Sequence, residues 1–448
     1  MRIGIVGAGI SGLATAFWLQ RERPDWELVI FEAEPTVGGA LHTEDVNGFR
    51  FEAGCNGFLT NRPDSLELVT ASGAGSLLLA SAAAARRRFV YSGRLRRLPE
   101  TPGAFLVSGL LSPLAKLRVL AEPLIPRRRD PAEETLQQFG YRRLGGSFTD
   151  VFLDAMTAGI YGSTPERLSV AAAFPLIVEL EREHGGLLRG MLARRRRQAG
   201  PGGVLMSFRG GVGSFVAHLK DSLRAEWHTA TAVHALSRVA SGWRVDSTAA
   251  PVEVDRVIVT VPAHAAAPML AGIDSELAAE LFRIEYTPIA IVGLGYRGLK
   301  HRLNGFGLLT TSAARQPVLG VLWDSSVFPD RAPPGGQTLR VMLGGQRNPS
   351  LVGLDAPALI GFARAGIRAT MGVDAEPAVS WVRRWPRGIP NYGPGHLATV
   401  AAIDAAVQRI PGLYLGGNAY HGVAMNDCCR NSRLLAARVL EDAGADQR

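Results

Sequence analysis

The sequence predicts an α/β fold, α+β over the chain as a whole, with more than one domain. Three observations predict it. Residues 2–32 alternate strand, glycine turn, helix and strand; residues 81–200 have a helical, arginine-rich pattern; and strand patterns return from residue 202 onward. The chain of 448 residues also exceeds what one hydrophobic core usually holds.

The first unit is a strand, a helix and a second strand. Arg2–Val6 is a short, β-branched run of the kind that forms a buried strand, and Glu27–Phe31 is another. Residues 11–21 place apolar side chains at helical spacing between them. The segment is as long as a βαβ crossover needs, so the two strands should pair in parallel.

A glycine motif joins the first strand to the helix. Gly7 permits a tight turn, Gly9 lets backbone approach a pyrophosphate, and Gly12 lets the helix pack on the strand. Glu32 follows Gly12 by 20 residues, at the end of the second strand, where a carboxylate accepts hydrogen bonds from a ribose. Strand, turn, helix and acid together predict a dinucleotide site.

Two further glycine segments favour FAD over a nicotinamide cofactor. Gly38 and Gly39 follow the ribose acid closely and offer a second backbone approach, which a plain nicotinamide enzyme does not need. Residues 413–427 contain a strand, glycines and a helix start. These would bring backbone N–H groups and a helix dipole to the flavin end of the cofactor.

Composition narrows the class of protein. Hydrophobic residues make up 47% of the chain and charged residues 20%, as in folded globular proteins. The net charge of +9 comes from arginine and favours anionic substrates or anionic lipid. No zinc-ligand spacing or aromatic RNA-binding motif occurs, so nucleic acid is not an expected partner. Cys55, Cys428 and Cys429 form no disulfide framework, which indicates a reducing, cytoplasmic compartment.

The arginine-rich stretch has two interpretations. Residues 102–126 are apolar and interrupted by prolines, and arginine runs lie at 86–88, 127–129 and 194–197. One interpretation is a helical insertion with an ordinary basic surface. The other is a monotopic surface whose arginines meet phospholipid headgroups. No stretch of about 20 apolar residues is free of charge or proline, so no transmembrane helix is expected.

Interior motifs give the chain a specific resemblance. With the glycine segments they run nearly end to end, in order, and are similar to those of the oxygen-dependent protoporphyrinogen oxidase family of the FAD-dependent amine oxidase superfamily. The motifs are RFVY at 88–91, GIY at 159–161, NGFG at 304–307, LGVLWDSSVFP at 319–329, MLGG at 342–345 and IPNY at 389–392.

This resemblance implies a protein of three parts. A two-dinucleotide-binding, Rossmann-like FAD domain would take residues 1–80, 201–262 and 401–448. A helical membrane-binding insertion would take residues 81–200, and a mixed-sheet substrate domain residues 263–400. The resemblance also implies non-covalent FAD, a homodimer, and a cytoplasmic protein held peripherally at the inner face of the cell membrane.

The implied reaction is the FAD- and oxygen-dependent oxidation of protoporphyrinogen IX to protoporphyrin IX in haem synthesis. Hydride leaves the meso-carbon region for flavin N5, and molecular oxygen takes up the electrons as hydrogen peroxide. Because the cofactor carries this chemistry, the protein binds, orients and excludes water. The sequence accordingly nominates no catalytic side chain and no metal ligand.

The resemblance also assigns substrate contacts. Arg88 would hold a substrate propionate, since arginine forms bidentate pairs with carboxylate. Gly159 would offer its backbone carbonyl to pyrrole N–H groups. An apolar slot around the rings would be lined by Phe306, Leu309, Leu322, Trp323 and Met342.

Flavin contacts are implied at residues spread over the whole chain. They are Gly7, Gly9, Ile10, Ser11, Gly12, Glu32, Ala33, Gly39, Ala40, Gly54, Cys55, Asn56, Gly57, Val233, Trp385, Val423, Ala424 and Met425.

Three alternative functions stay open. A coproporphyrinogen III oxidase of the same fold would bind four propionates rather than two and need a larger, more basic pocket. A generic flavin amine oxidase or carotenoid desaturase would leave porphyrinogens untouched, and a flavin-binding scaffold would not turn over at all. The apolar slot favours protoporphyrinogen, the less charged substrate.

Overall fold

The structure is a computed structural model that describes residues 1–130, 132–197 and 203–446, without the side chains of residues 195–197 and 446. Most of the predicted arginine run at 194–197 therefore lies outside the described side chains. The predicted domain boundary between residues 200 and 201 lies outside the described residues.

The strands of the described residues are named in chain order. They are β1 (Arg2–Val6), β2 (Glu27–Phe31), β3 (Thr43–Val46), β4 (Phe49–Glu52), β5 (Phe58–Leu59), β6 (Leu78–Ala80), β7 (Arg88–Tyr91), β8 (Leu95–Arg97), β9 (Leu205–Phe208), β10 (Ala225–His228), β11 (Val233–Val239), β12 (Gly242–Ser247), β13 (Val252–Val254), β14 (Arg256–Val259), β15 (Tyr286–Arg297), β16 (Gly307–Thr310), β17 (Val318–Leu322), β18 (Gly336–Gly344), β19 (Val379–Pro390) and β20 (Leu413–Leu415).

The α-helices of the same residues are named likewise. They are α1 (Ile10–Glu22), α2 (Asp64–Ala71), α3 (Pro102–Val107), α4 (Pro113–Leu120), α5 (Leu136–Arg143), α6 (Gly146–Phe148), α7 (Asp154–Tyr161), α8 (Val170–Ala173), α9 (Pro175–His184), α10 (Leu187–Arg197), α11 (Val212–Ser222), α12 (Ala263–Leu270), α13 (Ser275–Phe282), α14 (Asp324–Val327), α15 (Ala356–Met371), α16 (His396–Gln408) and α17 (Met425–Asp446). None of them is long and apolar enough to cross a bilayer.

A five-stranded parallel sheet forms the first layer, in the order β10-β2-β1-β14-β20. Its central strands β1, β2 and β14 are rich in β-branched residues and almost wholly buried, as the inner strands of a parallel sheet require. Helices α1, α11 and α17 pack on one face, and α12, α13, α16 and the β11–β12–β13 sheet pack on the other. The predicted α/β fold is confirmed, and its sheet draws strands from both ends of the chain.

A seven-stranded mixed sheet forms the second layer, in the order β19-β15-β18-β17-β16-β7-β8. Only β7 and β16 pair in parallel; the other neighbours are antiparallel. One face packs its apolar side chains under α15. The other face, which carries Ile289, Ile291 and Met342, turns towards α7.

Residues 88–97 differ from the predicted helical insertion. They form β7 and β8, and they extend the seven-stranded sheet at its edge. The reason is tertiary: β7 pairs with β16, so that Arg88 lies opposite Gly307. Strand preference depends on such partners more than on the local sequence.

Helices α3 to α10 form the remaining part, around an apolar cluster of their own. The buried charged side chains of this helical part form ion pairs with one another. Arg143 and Glu122, neither exposed at all, form an ion pair, and Arg142 joins Glu134 (2.8 Å) to Glu181 (2.7 Å). Pairing offsets the cost of taking these charges out of water.

Candidate functional site

The glycine turn after β1 opens into an empty space at the edge of the parallel sheet. Gly7 has a φ of +100°, which favours glycine. A Cβ on Gly12 would lie 2.0 Å from the Gly7 carbonyl oxygen, so α1 packs closely on the turn. A Cβ on Gly9 would meet nothing within 4 Å, and no side chain caps α1. Open space before uncapped helix N–H groups suits a pyrophosphate.

Glu32 lies at the carboxyl end of β2, beside this turn. Its Oε2 accepts a hydrogen bond from the Ala8 N–H (2.9 Å) and its Oε1 one from the Glu34 N–H (3.0 Å). Each carboxylate oxygen can accept another bond, so the half-buried group retains capacity for ribose hydroxyls. The Thr231 N–H donates to the Glu32 carbonyl (2.8 Å), which brings the start of β11, with Val233, to the same corner.

Two later loops lie against the glycine turn. The Gly38 N–H donates to the Ala8 carbonyl (2.8 Å), and a Cβ on Gly39 would lie 3.5 Å from the Gly9 Cα. A Cβ on Gly54 would lie 2.5 Å from the Ala40 carbonyl oxygen. Residues 7–12, 38–40 and 52–57 therefore form one continuous wall, with Ala33 and Ala40 exposed along it.

The loop at residues 52–57 is held by the seven-stranded sheet; it is called the flavin loop below because the family resemblance implies flavin contacts at residues 54–57. Arg340 donates to the carbonyls of Glu52 (3.0 Å) and Gly54 (2.5 Å). Asn56 Nδ2 donates to Asp324 Oδ1 (3.2 Å), while Arg340 Nε lies 2.9 Å from Asp324 Oδ2. The sequence prediction missed Arg340, although a charge among apolar strand residues was a usable signal.

The thiol in the flavin loop is an inert group. Burial raises the pKa of Cys55 to about 11, and burial raises that of Cys428 to about 12. Both thiols are protonated at neutral pH and are weak nucleophiles. They pack with Ile10 and Met425 in the apolar cluster behind the glycine turn.

The C-terminal segment completes the wall. Val423 and Ala424 precede α17, which begins at Met425 and packs along α1; Ser432 Oγ donates to the Ser11 carbonyl (3.0 Å). Helix α17 runs to Asp446. The strand, glycine and helix-start segment predicted from residues 413–427 thus lies beside the first glycine turn.

Six of the seven predicted substrate contacts lie together. Strand register places Arg88, Leu309, Leu322 and Met342 on one face of the seven-stranded sheet. A Cβ on Gly159 would lie 2.9 Å from both Leu309 Cδ atoms, so α7 touches this face. The Arg88 guanidinium carbon lies 5.3 Å from the centre of the Phe306 ring.

Trp323 does not lie with the others. It follows Leu322 directly, and successive strand residues point to opposite faces. Its side chain is 2% exposed and packs in the core under α15, with its ring 5.2 Å from that of Phe89. The prediction that Trp323 lines the slot does not fit this geometry.

Both ends of α7 are fastened over the sheet. Asp154 accepts hydrogen bonds from the Ser312 N–H (2.6 Å) and hydroxyl (2.7 Å) and lies 3.0 Å from Arg347. The Gln346 N–H donates to the Gly162 carbonyl (2.8 Å). These contacts fix Gly159 above Leu309.

The Gly159 carbonyl lies where α7 ends. The N–H groups of Gly162 and Ser163 both donate to the Thr157 carbonyl, so neither takes that of Gly159. The described residues also contain no group of His, Cys, Asp or Glu that could hold a metal ion. The region where α7, the sheet and the flavin loop meet, called the cleft below, thus brings together apolar side chains, an exposed arginine and a backbone carbonyl that the end of α7 leaves without a donor.

Comparison with known proteins identifies the family of the chain. The family profile described as flavin containing amine oxidoreductase matches residues 10–440. Coproporphyrinogen III oxidase of Bacillus subtilis (strain 168) is 27% identical over 97% of this chain and 97% of its own length. Protoporphyrinogen oxidase of Bos taurus is 30% identical over 97% of this chain and 98% of its own.

A solved structure is similar over the whole fold. The candidate protoporphyrinogen oxidase from Exiguobacterium sp. 255-15 superposes with a TM-score of 0.86 and 25% identity, covering 98% of this chain and 99% of its own. The chain belongs to the flavin containing amine oxidoreductase family and is an oxidoreductase whose cofactor is FAD.

Proposed function

We propose that the chain oxidises a porphyrinogen to a porphyrin, with molecular oxygen as final acceptor and hydrogen peroxide as product. The observation that carries this proposal is the set of groups that α7 and the sheet face bring together. A porphyrinogen is a largely apolar tetrapyrrole, non-planar at its saturated meso carbons, with N–H groups at its centre and carboxylates at its rim. These features match the apolar side chains, the Gly159 carbonyl and the Arg88 guanidinium.

The chain's own residues bind and orient the substrate. FAD, when bound, supplies the hydride acceptor. Arg88 pairs with a propionate, and the Gly159 carbonyl accepts hydrogen bonds from pyrrole N–H groups. Leu309, Leu322 and Met342 cover one face of the rings and exclude water, while Phe306 supports the Arg88 guanidinium.

FAD would lie along the wall formed by residues 7–12, 38–40, 52–57 and 423–425. Glu32 would take the adenosine ribose, and the α1 N-terminus would take the pyrophosphate. Trp385 and the flavin loop would border the isoalloxazine next to Met342. Residues 1–80, 201–262 and 401–448 would then form the FAD domain, and residues 263–400 the substrate domain, to which β7 and β8 contribute.

Protoporphyrinogen IX is the proposed substrate. The sheet side of the slot is apolar at Leu309, Leu322 and Met342, which suits the porphyrinogen with two carboxylates rather than four. Coproporphyrinogen III is the second candidate, because the Bacillus subtilis relative is named for it. Steady-state assays with both porphyrinogens test the choice, and faster turnover of coproporphyrinogen would overturn it.

The substitution Arg88→Ala tests the propionate contact. Loss of a charge-assisted pair to carboxylate costs about 1.5–3 kcal/mol, so KM for porphyrinogen should rise about tenfold or more while flavin absorbance is unchanged. Arg94→Ala, at the exposed turn of the same hairpin, is the matched control and should leave KM unaltered. An unchanged KM in Arg88→Ala contradicts the contact.

We also propose that α3, α4 and the segment after them lie on the inner face of the cell membrane. Val107, Leu114, Leu117 and Leu124 are 86%, 79%, 62% and 80% exposed there. Large apolar side chains so exposed, with basic residues nearby, suit an anionic lipid surface. A homodimer, as the family resemblance implies, belongs to the same proposal.

A further inference from the structure

Arg383 lies on the side of the seven-stranded sheet that faces the cleft. Its partner across the β15–β19 ladder is Ile291, and the partner of Ile291 on β18 is Met342. Partners in register share a face, so Arg383 points to the same side as Met342. The next residue, Arg384, pairs with Ala290 and points to the opposite side.

The Trp385 ring connects the guanidinium of Arg383 to the flavin loop, because it contacts both. Its central carbon is 4.4 Å from the centre of the Trp385 ring. Trp385 in turn donates from Nε1 to the carbonyl of Ala53 (2.9 Å). Arg383 thus places a permanent positive charge beside the part of the cleft where the isoalloxazine is proposed to lie.

Arg383 differs from comparable arginines because it forms no ion pair with an acidic side chain among the described residues. Its Nε is buried without an acceptor in the described part of the chain. Five other arginines bury Nε in the same way, yet each forms an ion pair through its guanidinium. These are Arg2 with Glu226, Arg143 with Glu122, Arg331 with Glu52, Arg340 with Asp324, and Arg347 with Asp154.

A half-buried guanidinium without a carboxylate is costly unless another anion approaches it. FAD acquires negative charge on the isoalloxazine when two electrons and one proton reduce it. We propose that Arg383 stabilises this anionic reduced flavin and so raises the reduction potential of the cofactor. The inference rests on the flavin placement in the proposed function, and it adds a residue that tunes the cofactor rather than binding substrate.

Sulfite tests this role without any porphyrinogen, because it adds to flavin N5 and leaves an anionic adduct. In the FAD-loaded R383M variant the dissociation constant for sulfite should rise about tenfold. The two-electron reduction potential should fall correspondingly, by about 30 mV per tenfold change. R383K keeps the charge and should restore most of both values. R383Q, a second neutral variant, should behave as R383M does.

Arg384 provides the matched control. It is exposed, points away from the cleft and donates to the Leu354 carbonyl (2.7 Å), so R384M should keep the wild-type sulfite affinity and potential. The proposal is overturned by unchanged values in R383M, or by equal effects in R383M and R384M. A higher KM with an unchanged potential also overturns it and assigns Arg383 to the substrate.

The same measurements separate this inference from the proposed function. A shifted sulfite affinity in a protein that leaves porphyrinogens untouched supports the role of Arg383 and refutes the substrate assignment. Loss of flavin from both neutral variants, with retention in R383K, also supports a charge that faces the cofactor.

Discussion

At Gly159 two elements contact each other so closely that a side chain would not fit between them. Helix α7 rests on β16 through this residue, and both Leu309 Cδ atoms lie 2.9 Å from where a Cβ would be. The absence of a side chain keeps Leu309 in the wall of the slot.

The substitution Gly159→Ala should therefore narrow the slot. Crowding of this kind costs about 1–3 kcal/mol, so KM for porphyrinogen should rise about tenfold while the bound flavin is unaffected. Shortening the neighbour in the double variant Gly159→Ala/Leu309→Ala should recover part of the loss. Steady-state kinetics measure both, and equal KM values in wild type and Gly159→Ala contradict the contact.

Trp323 is a residue whose side-chain direction could not be predicted from the sequence. Resemblance selected Leu322 and Trp323 together, but the pleat of β17 sends the two side chains to opposite faces. The wall is therefore built from alternate residues of neighbouring strands. Arg340 and Arg383 belong to this same face, and the register of the sheet places both of them there.

At the scale of elements, α16 depends on a buried histidine. His396 begins this helix, its ring stacks 4.0 Å from that of Tyr392, and Tyr392 donates to the Asn418 carbonyl (2.6 Å). Burial lowers the pKa of His396 to about 4. The folded protein therefore keeps the ring neutral where the unfolded chain, with a pKa of about 6.5, protonates it.

This difference predicts a loss of stability in acid. Below about pH 6.5 the unfolded state binds the extra proton, so stability falls with pH until the folded-state value near 4 is reached. By pH 5 the loss is about 2 kcal/mol. His396→Phe keeps the stacked ring without the charge, so its melting temperature should fall less between pH 7 and pH 5. Equal falls in the melting temperatures of the wild type and of His396→Phe would contradict the assignment of this acid sensitivity to His396.

Elements with a strong local sequence pattern were predictable. Strands that pair with a segment far away in the sequence were not. The strands β1 and β2 and the helix between them follow from residues 2–32 alone. Strands β7 and β8 carry arginines at their ends and were predicted as helical. Their structure depends on β16, more than 200 residues later, which no local periodicity reveals.

At the scale of the whole molecule, the exposed apolar side chains of α3, α4 and the segment after them predict lipid binding. Each buried leucine contributes about 1.5–3 kcal/mol, so Leu114→Asp/Leu124→Asp should weaken binding to anionic vesicles at least about tenfold. Vesicle flotation at moderate salt measures this.

Leu434 is the matched control for the flotation test, because it is 62% exposed on α17, in the dinucleotide-binding part. Leu434→Asp should float like the wild type. Wild-type protein that stays with the soluble fraction, or a double variant that floats equally well, contradicts the membrane surface.

Motifs indicated which distant segments of the chain come together at the cofactor, but they did not indicate the contacts that join these segments to the seven-stranded sheet. The glycine turn, Glu32 and residues 413–427 indicated a cofactor held from both ends of the chain. The contacts that connect the flavin loop to the seven-stranded sheet come from Arg340, Asp324 and Trp385, on segments the motifs left unlinked.

The parallel sheet has a consequence for synthesis on the ribosome. Strand β1 pairs with β14, and β14 pairs with β20. The sheet that contains Val6 is therefore complete only after Leu415 has been synthesised. At about 5–20 residues per second this interval lasts roughly 20–80 seconds. During this interval the nascent chain exposes the edge of β14 that β20 later covers. The wall completed by residues 423–425 cannot form in this interval. If residues 423–425 contact FAD as proposed, cofactor capture is complete only after these residues have emerged from the ribosome.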